Sequence, residues 1–423
     1  MAANYHHGPE IIELASPEGI VRDVKSAVTL LVGAAPVQTI HATPEARAGY
    51  INKRVIIRSR EQAAAAFGPE TAGYSIPQAL TAIFNKVING QSGGSICVVN
   101  VFDPDVHKAA GTPDPTLIGA THINGAIDAA GTATGFKLAY GMFNEVGYLP
   151  KILIAPRYST LAGVRTEMEV VAQRLHAVHV SDLPAGLTIQ QAIAERGVGG
   201  GYNTASERAV ACYPQLRAYD PVVDDLALQP YSQHYAGVMV ATDLAEGYHF
   251  SPSNHEMADV RGVERDISFY PGDYSSDTNA LNEVGITTVM NMFASGFRTW
   301  GNRTLAFPTS IDQKNFVYVR RIFDMVHESI LYYTLQRTDR PGTLAFLSAV
   351  EEDVNLFLRA KEGEGVLYGG AFRFNRTKTT SRTVADGQFY YTLKMAPVGI
   401  TERLTVESVL DLSYTTAALG LAA

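Results

Sequence analysis

The amino-acid sequence predicts a multi-domain α/β protein, a mixed sheet with flanking helices that continues into an α+β C-terminal part. Three observations carry this. Through the first two thirds of the chain, apolar runs of strand length alternate with stretches whose apolar residues recur every three or four positions. Continuous apolar runs suit strands buried on both faces, and their alternation with helices gives a mainly parallel sheet. Beyond residue 316 come two long amphipathic helices, and beyond 371 the period-two alternation of strands.

Residues 1–25 read as an arm. Ile11, Ile12, Glu13 and Leu14 lie between Gly8-Pro9 and Ser16-Pro17, and a strand so short needs a partner, in the same subunit or a neighbour. The run 27–34 (AVTLLVGA) is a buried strand, 54–57 a second, and 59–67 a helix that Ser59 caps. Ile76, Leu80, Ile83, Phe84 and Val87 define a helix over 74–88, and 96–101 returns to a strand. From 103 to about 136 the composition shifts to Pro, Gly, Thr and Ala. Short strands at 116–118 and 122–125 are expected there, making a small β-rich surface insertion; a long loop is the alternative.

The α/β pattern resumes with a strand at 151–155, a helix at 160–177 (Val164, Met168, Val171, Leu175), a strand ending at Asp182 and a helix at 189–196. Tyr219 leads a strand into a turn, 237–242 is helix or strand, and 249–273 is irregular. The segment 281–307 holds the only tryptophan, Trp300, with Gly301 and Arg303 close behind, and reads as a buried junction between differently built halves. Val319, Ile322, Phe323, Val326, Ile330 and Tyr333 make one face of a helix over 316–335, with Arg320, Arg321, Asp324 and Glu328 on the other. A second helix spans 343–361. In the tail, 389–395 and 403–410 form an antiparallel pair, extended between subunits in one version, with Leu404, Val406, Val409 and Leu410 in its second strand.

These elements divide the chain into an arm (1–25), an α/β core in two parts (26–102 and 138–298) around the insertion (103–137), a C-terminal domain (299–400) and a C-terminal arm (401–423). With 46% hydrophobic and 18% charged residues the cores are large, and a net charge of −8 speaks against a nucleic-acid coat. Two lone cysteines, Cys97 and Cys212, argue for a reducing compartment. No secretory signal or membrane span is evident: the best stretch, 27–43, is short and carries Pro36, Gln38 and His41.

No catalytic constellation emerges. The loop Gly197-Val198-Gly199-Gly200-Gly201 lacks the Gly-Lys-Ser/Thr ending of a phosphate loop, and His176 with His179 has no further ligand at zinc spacing. Catalytic, cofactor-binding and metal residues are therefore none. Strands left unpaired at both ends would endanger a monomer unless partners fill them, and a heterologous contact of that kind propagates into a polymer.

One resemblance sharpens this. Asn282, Gly285-Ile286 and Trp300-Gly301-x-Arg303-Thr304-Leu305 resemble the sheath proteins of contractile phage tails and related injection machines. Tyr5-His6-His7-Gly8 with 10–13, the run 148–156 (YLPKILIAP) and 237–243 (GVMVATD) look like the same family in the same order. The resemblance implies a virion-tail subunit, made in the host bacterial cytoplasm, whose copies stack as rings or a helical tube around a tail tube protein and contract to drive it through a cell envelope. It implies baseplate and tail terminator partners, no direct nucleic-acid contact and no membrane insertion. It implies arms (Ile11, Ile12, Glu13, Leu14; Leu404, Val406, Val409, Leu410) that complete sheets in adjacent copies, and an inner domain whose Arg320, Arg321, Arg337, Arg359 and Lys361 face an acidic tube. Two other classes stay open: a nucleotide- or sugar-binding α/β enzyme using the 197–201 loop, and a surface-layer or capsid-type protein.

Overall fold

The computed structural model describes residues 21–86, 93–292 and 296–420. β1 (Val28–Gly33) is buried at every position. Leu31 enters one core and Leu30 and Val32 another, on the opposite face of the sheet. Burial on both sides is why the run is apolar apart from Thr29. After α1 (Pro44–Ala48) and β2 (Val55–Ile57) comes α2 (Arg60–Phe67), whose Gln62 N–H donates to the Ser59 hydroxyl at 3.3 Å. α3 (Ile76–Phe84) and β3 (Ser95–Asn100) complete the first unit.

The expected β-rich insertion is a correction. Its only strands among the described residues are the two-residue β4 (Lys108–Ala109) and β5 (Thr112–Pro113); 116–118 overlaps a 3-10 turn (Pro115–Leu117), and 122–125 overlaps α4 (Ala120–Asn124). Ile123 and Phe136 sit fully buried in the second core. Tertiary burial overrode the local turn composition.

The chain continues through α5 (Met142–Val146), β6 (Ile152–Ile154), α6 (Ala162–Leu175), β7 (Val178–Asp182), α7 (Ile189–Ala194) and β8 (Ala209–Cys212). β9 (Leu216–Asp220) and β10 (Asp225–Gln229) form a hairpin before α8 (Tyr231–Ala245). β11 (Val260–Val263) returns to β9 inside the stretch expected to be irregular. The undecided 237–242 lies within α8, where 13 residues, Tyr231 to Asp243, are buried. A helix buried on every side shows no apolar stripe to read.

α9 (Asp277–Glu283), β12 (Ile286–Met292) and β13 (Gly296–Trp300) follow. The eight-stranded sheet runs β13-β12-β8-β7-β6-β1-β3-β2. Six central strands are parallel, and β13 and β2 close the two edges antiparallel. Beneath it, Glu169 of α6 accepts from His179 (3.0 Å), Ser206 (2.6 Å) and Gln173 (2.8 Å). Burial alone would raise this carboxyl, but those bonds hold it down at about 2. A depressed carboxyl stabilises the fold above its unfolded value and loses that contribution as pH falls toward the folded one. Glu169→Gln is expected to reduce the stability lost between about pH 4.5 and pH 2 by on the order of 3 kcal/mol, read from urea midpoints across that window.

A third core gathers α10 (Val317–Leu335), α11 (Leu344–Gly363), β14 (Leu367–Phe374) and β15 (Tyr391–Pro397) with Val21 and Tyr248. Short helices α12 (Ser381–Ala385) and α13 (Ser413–Leu419) complete the chain. Two expectations fail here. The strand at 389–395 pairs with β14, Leu393 opposite Phe372, and not with 403–410, which has no strand partner among the described residues. Gly369-Gly370 had hidden β14 from the alternation; Gly370 lets Leu358 of α11 pack against the strand, where an added Cβ would stand 3.3 Å from it. The charged face of α10 is also not solvated: Arg321, Asp324 and Glu328 are buried. Arg321 pairs with Asp243 (2.7 Å), Asp324 with Arg208 (2.8 Å), and Glu328 with Lys151, so the helix is bound to the α/β body through ion pairs.

Candidate assembly interface

The C-terminal segment leaves the third core under guard. Tyr318 donates to the Val398 carbonyl at 3.0 Å, the Arg303 guanidinium pairs with Glu402 (3.0 Å), and Arg403 donates to the Tyr274 hydroxyl at 2.9 Å. Arg303 is itself fixed between the rings of Phe316 (3.9 Å) and Phe307 (4.4 Å) and donates to Asn315 at 2.8 Å. Past this root the chain has no regular structure until α13, and Leu404, Val406, Val409 and Leu410 are 85%, 88%, 83% and 85% exposed. Four apolar side chains so exposed within seven residues make this segment a candidate contact for another molecule.

The other predicted arm residues, Ile11, Ile12, Glu13 and Leu14, lie outside the described residues. The first residue described, Val21, is buried in the third core, and Asp23 pairs with Lys361 of α11. Both chain ends are therefore rooted in the same small core.

At the junction, Trp300 ends β13 and stacks edge-on against Phe269 at 5.5 Å. With its amide turned to satisfy both neighbours, Asn282 accepts from the indole N–H at 3.2 Å and donates to the Ile286 carbonyl at 3.0 Å. Gly301 has φ of +136°, and a Cβ there would lie 2.9 Å from the Thr287 backbone. Only glycine passes so close in that conformation.

The five cations predicted to face a tube separate. Arg320 pairs with Glu207 (3.1 Å) and Asp324 (2.8 Å), Arg321 with Asp243, and Lys361 with Glu364 (2.6 Å) and Asp23. These three charges are matched within the subunit, which corrects the expectation for them. Arg337 is half-buried beside Asp353 (3.3 Å), and Arg359 is exposed on α11.

The glycine loop is bound to its own helix: Gly201 N–H donates to Glu195 at 2.7 Å, and a Cβ on Gly200 would meet the Glu195 carbonyl at 2.2 Å. The residue that matters there is one the sequence reading passed over. Arg196 donates to the carbonyls of Val284 (2.9 Å), Thr204 (3.0 Å), Leu305 (2.8 Å), Phe307 (2.8 Å) and Tyr202, fastening the loop to the junction. Nothing in the local sequence marks an arginine that serves backbone carbonyls from three separate segments. Among the described residues there is no group of three potential metal ligands, and no helix is long and apolar enough to cross a membrane.

An apolar tail exposed beyond a pinned root fits one class of protein, a structural subunit that works by association. Comparison with known proteins gives the family. The profile of the phage tail sheath protein central domain matches residues 125–305. The tail sheath protein of Burkholderia phage BcepMu is 35% identical over 98% of both chains, and that of Escherichia phage P2 is 23% identical over 97% of both. Among solved structures, the contracted sheath complex of the extracellular contractile injection system PVC shares the fold with a TM-score of 0.67 at 20% identity, covering 98% of this chain and 100% of that one. The contracted helical sheath of the anti-feeding prophage gives 0.66 at 20% identity, over 96% and 99%. The chain belongs to the phage tail sheath protein family, whose members are structural proteins and not enzymes.

Proposed function

We propose that this sheath subunit polymerises around a tail tube, its copies joined by N- and C-terminal strands that complete sheets in their neighbours. The observation that carries this is the exposed apolar segment 404–410 beyond the Arg303–Glu402 pin. An inserted strand makes several backbone hydrogen bonds at roughly 1 kcal/mol net each, so a connected mesh survives while the globular bodies shift. Contraction follows when the compact arrangement buries more subunit surface than the extended one, with no nucleotide required. Arg359, exposed on α11, is the candidate cation for an acidic tube surface, and such a contact weakens with salt. Baseplate and terminator proteins bound the polymer, which is built in the host cytoplasm.

Truncation after Thr401, or removal of residues 1–20, is expected to leave the circular dichroism of the body unchanged and to abolish tubes in negative-stain images. Normal polymers from both truncated proteins would sink the linkage.

A further inference from the structure

Lys86, His234 and Asp259 form a closed triangle inside the α/β body that the assembly described above does not use. Lys86 follows α3, His234 lies near the start of α8, and Asp259 stands immediately before β11, so three separate segments converge. The side chains of Lys86 and His234 are 1% and 0% exposed, and that of Asp259 is 14% exposed. Lys86 Nζ contacts Asp259 Oδ1 and donates to His234 Nδ1 at 3.0 Å, and Nδ1 is 3.3 Å from Asp259 Oδ2. On the other side of the ring, His234 Nε2 donates to Gln229 Oε1 at 3.1 Å, an atom that can only accept. The ring proton is therefore on Nε2, and Nδ1 presents its lone pair to the amine. Helix α8 makes room for the lysine stem: a Cβ on Gly237 would stand 2.6 Å from Lys86 Cγ. Glycine there weakens the helix interior, and what it admits is this one side chain.

We infer that Lys86 and Asp259 are joined by an isopeptide bond formed within the folded subunit, with His234 carrying the protons. The inference does not depend on the polymer linkage. An ammonium and a carboxylate in the interior each keep a desolvation cost that their attraction must offset, whereas an amide has no charge to desolvate. Burial pulls the Lys86 ammonium well below its ordinary range, and burial together with the Lys86 charge holds His234 neutral. His234 Nδ1 takes a proton from the ammonium and passes it to Asp259 Oδ2. The freed amine attacks Asp259 Cγ, and the Nζ–Cγ bond forms. A second nitrogen proton then moves through Nδ1 to Oδ2, the Cγ–Oδ2 bond breaks, and Oδ2 leaves as water. One ammonium and one carboxylate become one neutral amide and one water, so no oxidant, reductant or cofactor is needed. Because the fold holds the reacting groups in contact, the step is unimolecular. The water has an exit, since Asp259 lines a cavity of about 320 Å³ with Asn85 and Gln229. The bond fastens the end of α3 to the sheet β10-β9-β11, and a covalent tie between residues so far apart in sequence restricts the unfolded chain.

The intact mass of the wild-type subunit, fully denatured, decides between a bond and an ion pair. The expected mass is one water below that of the sequence, after allowing for removal of the initiator Met. Tryptic digestion is expected to leave Lys86 uncut and to yield residues 61–108 linked to 218–261, with the branch placed at Lys86 and Asp259 by tandem mass spectrometry. Full mass, with Lys86 and Asp259 recovered in separate peptides, overturns the proposal. Lys86→Arg and Asp259→Ala are each expected at the full mass of their own sequence, and because the measurement is made on denatured chains it does not require either variant to be stable. A water loss that persists in both variants overturns the assignment to this pair. His234→Gln and His234→Asn, measured where circular dichroism shows the variant folded, are expected to lower the linked fraction of freshly made protein about tenfold or more. Complete linkage in either folded variant overturns the role given to His234.

Discussion

Replacing Lys151 with Met lowers the unfolding free energy of the subunit by about 3–5 kcal/mol, because it leaves a carboxylate buried without its partner. Lys151 is 3% exposed and Glu328 2%. The pair is the point where the strand β6 region meets α10, with Lys151 also 3.4 Å from the Leu175 carbonyl and Tyr332 donating to Glu328 at 2.6 Å. Burial pulls the ammonium below its ordinary range and Glu328 opposes that pull. Their attraction therefore offsets a desolvation cost, and the damage comes from removing one charge alone. The double variant Lys151→Met/Glu328→Leu is expected to regain most of the loss. Thermal and urea unfolding of the three variants checks this, and a double variant as unstable as the single one would contradict it.

Arg196→Leu is expected to cost about 4 kcal/mol, from the loss of hydrogen bonds to five carbonyls that the leucine cannot replace. The bonds join the end of α7 to Val284, to Tyr202 and Thr204, and to Leu305 and Phe307 of the junction. Arg196→Lys is expected to recover little, since a single ammonium cannot reach acceptors spread around a planar guanidinium. The readout is the melting temperature of the purified subunit, and a shift of the lysine variant close to zero would refute the geometry.

The sequence made the α/β body readable wherever two-sided burial left an unambiguous mark. The runs at 27–34, 96–101 and 151–155 became β1, β3 and β6 because burial on both faces keeps them mostly apolar, with Thr29, Asn100 and Lys151 as buried exceptions. The same burial made α8 undecidable, since a helix surrounded by core loses its periodicity. The charged side of α10 misled for a different reason. A pattern reading assigns charge to water, whereas Arg321, Asp324 and Glu328 find Asp243, Arg208 and Lys151 only after the chain has folded. The strand expected at 389–395 is β15, but the pairing expected with 403–410 is not formed: 403–410 has no regular structure. β15 pairs instead with β14, whose two glycines weaken its alternation.

Val21 and Asp23 are seated on the α10–α11 core, and Val398 and Glu402 are held beside it through Tyr318 and Arg303. Tension entering the molecule at one terminus and resisted at the other thus has a short route through that small core, and the eight-stranded sheet is bypassed. In the linked polymer proposed above, such subunits carry load along the axis while the largest folded part stays outside the line of force.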